Sequence, residues 1–74
     1  MLKQNQILDA LTNKKAFQAS NVFACYDEKG DYIVYSYQTV ILKVVGEVVD
    51  YFDNKYYSAT TSKLQNKIKQ AFDL

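Results

Sequence analysis

Between Val22 and Phe52 the chain alternates β-forming runs with connections too short for anything but a local reversal. Val22-Phe23-Ala24-Cys25-Tyr26, Tyr32-Ile33-Val34-Tyr35-Ser36-Tyr37, Val40-Ile41-Leu42-Lys43-Val44-Val45 and Val48-Val49-Asp50-Tyr51-Phe52 are rich in β-branched and aromatic residues. A parallel crossover needs about a dozen residues or more, and no gap here offers them. Successive runs must therefore pair as sequential, antiparallel neighbours. Asp27-Glu28-Lys29-Gly30 suits a type I turn in which Gly30 accepts a positive φ. Gln38-Thr39 marks a second short turn. Gly46-Glu47, between two valine pairs, places glycine where a type II′ turn requires a positive φ. Asp53-Asn54 is a further turn pair, and residues 55–58 read as a short fifth strand.

Helical spacing appears on either side of this block. Ile7, Leu8, Leu11 and Phe17 recur on one stripe, with Gln4, Asn5, Asp9, Asn13 and Lys14 opposite. This predicts an amphipathic helix over residues 3–17, broken by Ser20-Asn21. Leu64, Ile68 and Phe72 follow at i, i+4 and i+8, with Ala71 beside them, which predicts a helix over 61–72. Ser62 and Gln65 have the spacing of a capping box. The order is helix, an antiparallel meander of four to five strands, helix. That is an α+β fold in a single domain, residues 1–74. An antiparallel sheet can keep one face wet. Both helices are therefore expected on one sheet face, leaving the other open.

Composition removes several functions. Cys25 is the only cysteine and there is no histidine. A disulfide framework, a zinc set and the usual general base are all missing. The chain reads as non-enzymatic, with no cofactor and no metal site. Asp27, Glu28 and Asp31 beside Gly30 lack the EF-hand spacing, and read as a solvated turn. Cys25 shares strand parity with Phe23 and reads as a small buried apolar residue. No apolar run approaches the ~20 residues of a membrane span. Met1-Leu2-Lys3-Gln4-Asn5-Gln6 lacks an apolar signal core, and a lone thiol fits a reduced cytoplasm.

The net charge of +1 is unevenly laid out. Residues 1–26 carry three lysines and one aspartate; residues 27–53 carry six acids and two lysines; residues 54–74 carry four lysines and one aspartate. A pI of 7.8 is low for a nucleic-acid-binding surface. All nine basic residues are lysine. Bidentate reading of phosphate or guanine leans on arginine, so base-specific recognition loses ground. The abundance of Lys, Asn and Tyr, without Arg, Pro, His or Trp, fits an AT-rich genome.

Three surfaces are left as binding candidates. Tyr35 and Tyr37 share strand alternation, and Tyr51 lies between the acids Asp50 and Asp53. Tyrosine is a favoured anchor for protein partners, though β-propensity and cross-strand packing also account for it. Thr60, Thr61 and Ser62 precede Lys63 and Lys67 at a helix start, where an anion or nucleic acid could dock. A helix cap with a solvated lysine face is the plainer account. No glycine-rich loop precedes them, so they are not a nucleotide cradle. Finally, a core this small favours association, and a homodimer is the third option.

The runs Y-S-Y-Q-T-V-I (35–41) and D-N-K-Y-Y-S-A-T-T-S-K-L-Q-N-K-I (53–68) carry a resemblance. They are similar to small proteins of unknown activity from phages and other mobile elements, which share S-Y-x-T-x-I and Y-S-x-T-T-S-K-x-Q. The resemblance implies a compact accessory protein in a bacterial host cytoplasm. By analogy with anti-defence and anti-CRISPR inhibitors, its partner would be a host protein.

Overall fold

The computed structural model describes residues 4–19 and 21–74. Helix α1 (Gln4–Thr12) leads into strands β1 (Phe17–Ala19), β2 (Val22–Tyr26), β3 (Tyr32–Ser36), β4 (Thr39–Val45) and β5 (Val48–Phe52), and helix α2 (Ala59–Phe72) closes the chain. The strands form one antiparallel sheet in sequential order. The expected helix start at Lys3 and break at Ser20 lie outside the described residues.

Helix α1 is shorter than its apolar spacing predicts. It ends where Lys14 adopts φ 51°, and the N–H of Lys15 returns to the carbonyl of Ala10 at 2.8 Å. This is the left-handed stop that glycine usually supplies. Tyr26 and Tyr32 then reach across from the sheet, donating their hydroxyls to the carbonyls of Lys14 and Lys15. With the helix terminated, Phe17 becomes the first residue of β1, opposite Ala24. The fifth strand is thus at the amino-terminal edge. Residues 55–58, expected to be a strand, form none. The amide of Lys55 donates to Asp53 Oδ1 and its carbonyl accepts Gln65 Nε2 instead.

Ala24, Val34 and Leu42 lie in register across the sheet, as do Tyr26, Tyr32 and Val44. This face meets Ile7 and Leu11 of α1 and Leu64 and Ile68 of α2 in one core. Both helices therefore cover the same face. A bulge leaves Ile41 without a partner between the Val34–Leu42 and Tyr35–Val40 pairs. It lets Ile41 and Leu42 both point inward, which strict alternation forbids. Cys25 and Phe23 keep their shared parity but face the other way, exposed on the open side. Alternation determines which residues share a face. Which face the helices cover is a matter of tertiary packing.

Candidate functional site

The end of β3 and the start of α2 meet at one end of the sheet. Ser36 pairs with Thr39, so the β3–β4 connection consists of Tyr37 and Gln38 alone. Tyr37 has φ 59°. A bulky side chain in this region is an outlier, costing roughly 1–2 kcal/mol. The conformation is held partly by the Tyr37 N–H, which donates to the carbonyl of Asn21 at 2.6 Å. Tyr37 is therefore a turn residue, 53% exposed, and does not share a strand face with Tyr35.

Helix α2 starts earlier than the Ser62–Gln65 spacing suggests. Its N-cap is Ser58, in extended conformation, whose Oγ accepts the N–H of Thr61 at 3.2 Å. The same Oγ lies 3.3 Å from Thr61 Oγ1, which in turn shares a buried 2.8 Å hydrogen bond with Ser36 Oγ. A chain of three hydroxyls thus ties the helix start to the end of β3. Gln65, read as the partner of Ser62 in a cap, donates its Nε2 to the carbonyls of Asp53 (2.7 Å) and Lys55 (2.9 Å).

Asp53 organises the segment between β5 and α2. Its Oδ1 accepts the N–H of Lys55 at 3.0 Å, and its Oδ2 accepts the hydroxyl of Tyr57. The Tyr57 bond is the main reason its carboxyl lies below the usual aspartate range, helped by the Lys55 amide and ammonium and by Tyr51. The same bond raises the Tyr57 phenol. Asp53 is buried, so it is a structural acceptor and not part of an exposed acidic patch.

Between these two walls lies a half-open hollow of about 260 Å³, lined by Ser36, Tyr37, Thr39, Ile41, Tyr57, Ser58 and Thr61. All four fixed residues of S-Y-x-T-x-I line it: Ser36, Tyr37, Thr39 and Ile41. The opening Tyr57 and Ser58 of Y-S-x-T-T-S-K-x-Q and its Thr61 line it from the other side. Two segments some twenty residues apart in sequence thus build one site. In a meander β3 and β5 run the same way, so their ends fall at the same edge. That parity was the available signal for adding Ser36, Thr39, Ile41, Tyr57 and Ser58 to the site. A second hollow, about 370 Å³, lies between α1 and β1 and includes none of these residues.

The remaining candidates are dispersed. Tyr35 and Tyr51 occupy the open sheet face, half-buried and 46% exposed. Asp50 is the exposed extra residue of a bulge in β5. Thr61 is buried with its hydroxyl engaged by Ser36, whereas Thr60 and Lys63 are exposed and Ser62 and Lys67 half-buried. No group of three His, Cys, Asp or Glu side chains converges on a metal-sized site among the described residues. No helix among them is long and apolar enough to cross a membrane.

A sequence model of one protein family, described as a family of unknown function (DUF8033), matches residues 5–73. No curated protein and no solved structure matches the chain.

Proposed function

We propose that this chain, which belongs to the DUF8033 family of unknown function, is a non-enzymatic binding protein whose hollow between the β3–β4 turn and α2 receives a side chain of a protein partner. The observation that carries this reading is the convergence of both motif segments on that hollow, with Tyr37 held there in a strained turn. Strain of this kind is retained where function uses it.

Size discriminates between classes of occupant. Pockets for cofactor-sized ligands span about 300–1,000 Å³. At about 260 Å³, this hollow suits one protruding side chain. Two tyrosine rings supply apolar contact, and the exposed hydroxyl of Thr39 can meet a polar tip. Aromatic walls around a filled pocket are how a small interface concentrates its affinity. The setting taken from the resemblance is a phage or mobile-element protein in the bacterial cytoplasm, and the partner is a host protein. Nucleic-acid docking at Thr60, Thr61, Ser62, Lys63 and Lys67 has less support, because the Thr61 hydroxyl is already engaged.

The test is affinity capture from host lysate with the parent chain and with Thr39→Arg, which fills the hollow from an exposed rim position. The parent should retain a partner that Thr39→Arg loses, at an unchanged melting temperature. Equal capture by both would end the pocket reading.

A further inference from the structure

We propose that the open face of the sheet pairs with the same face of a second copy of this chain. This rests on a different surface from the hollow and stands independently of it. The strand register places three rows of side chains on the face away from both helices. Gln18, Phe23, Tyr35 and Val40 form one row; Cys25, Ile33, Lys43 and Tyr51 the next; Val45 and Val48 the third. Phe23, Cys25, Val45, Val48 and Tyr51 are exposed, Val48 at 68%. An apolar, aromatic patch of this continuity marks an interaction site.

Charge selects the occupant. Among the described residues of these rows only Lys43 is charged, and its Nζ lies 3.9 Å from Asp31 Oδ2 at the rim. The lysines of α2 belong to the helix layer on the opposite side. The face is therefore close to neutral and carries no pattern that would select a charged partner. Between identical faces the one like-charge pair is Lys43 with its copy, each partnered by its own Asp31, and a net charge of +1 adds little.

Geometry points the same way. Five strands about 4.8 Å apart and three to seven residues long present a face on the order of 400 Å² per copy. That is below the roughly 800 Å² per partner of a standard interface, which sets the expectation of a weak, concentration-dependent dimer. The sheet edges are poor alternatives. β1 has three residues, and β5 is broken by the bulge at Asp50. Two open faces closing on each other would form a sandwich, adding a second apolar layer to a chain with helices on one side only.

Sedimentation velocity over the micromolar range tests this, with alkylation of Cys25 as an internal reporter, since the thiol lies on the proposed interface. The mass should rise with concentration from 8.5 kDa towards twice that value, and Cys25 alkylation should slow in parallel. Tyr51→Lys and Val48→Lys, both at exposed positions, should weaken the dimer by about tenfold or more with unchanged circular dichroism. They should also restore the fast alkylation. Thr39→Arg should dimerise like the parent, which separates this inference from the pocket reading. A single-chain mass throughout, a dimer indifferent to both lysines, or alkylation independent of concentration would overturn it. So would a monomer whose foreign partner is lost in Tyr51→Lys, which would assign the face to that partner.

Discussion

The β3–β4 and β4–β5 hairpins each reverse the chain with two residues, and the first of each pair has almost the same φ. Gly46 has φ 63° and Tyr37 has φ 59°. Neither second residue, Glu47 or Gln38, has a positive φ. One turn uses glycine, for which this conformation is free of strain. The other uses tyrosine, for which it is costly. Gly46 has open space around the position of a Cβ and lines no described hollow. Tyr37 forms a wall of the hollow. The contrast shows where local stability yields to side-chain chemistry: glycine serves at the bare turn, and an aromatic ring is retained at the site despite its conformation.

The sharpest way to break this comparison is Gly46→Val. Space is not limiting there, so the penalty isolates backbone strain. It should destabilise the fold by roughly 2 kcal/mol, measured by denaturant unfolding. An unchanged midpoint would mean that the turn does not need its positive φ, and the strain attributed to Tyr37 would lose its basis.

The reciprocal substitution is Tyr37→Gly. It should stabilise the protein by about 1 kcal/mol, because the turn strain is relieved and the ring is half-exposed. The partner captured by the parent should be lost at the same time. A loss of stability would show that the Tyr37 ring is held mainly by packing.

The far wall of the hollow sharpens the contrast from the other side. Ser58→Ala should cost about 1 kcal/mol by removing the N-cap, while Ser62→Ala should stay within about 0.5 kcal/mol. Equal effects would return the cap to Ser62.

The smallest effect concerns pH. The Asp53 carboxyl is depressed below its ordinary value of 3.8, first by the Tyr57 hydroxyl and then by the Lys55 amide. Its contribution is complete above about pH 4 and is lost as pH falls through the lowered folded value. Asp53→Asn should therefore melt lower than the parent at neutral pH and lose less on acidification. Asp27, depressed chiefly by the Asp31 amide, retains part of the acid sensitivity in that variant. Parallel curves for parent and variant would show that Asp53 is not coupled to folding.

Of the hollow's walls, Tyr37 and Thr61 are legible as members of an aromatic and a hydroxyl cluster, yet a strand pattern that continues through Ser36 groups Tyr37 with Tyr35. The turn interrupts it, and no glycine announces the turn. Asp53 looked like a surface acid beside Tyr51. Its burial follows from the hydrogen bonds of Tyr57, Lys55 and Gln65, which no spacing reveals.

Sequence alone determined the meander, since connections this short admit only neighbouring antiparallel strands, and it determined two amphipathic helices that need a common surface. It also determined which strand residues share a face, except at the bulges of Ile41 and Asp50 and at the turn residue Tyr37. Tertiary structure decided which of those faces the helices cover, and so exposed Cys25 and Phe23. It decided that the fifth strand is Phe17–Ala19 and not residues 55–58. Three residues carry too little local preference to announce a strand, and β1 exists because Phe17 and Ala19 pair with Ala24 and Val22. The hollow itself belongs to the same class. Its walls come from two segments whose local signals describe a turn and a cap, and only their packing across the end of the sheet makes them one site.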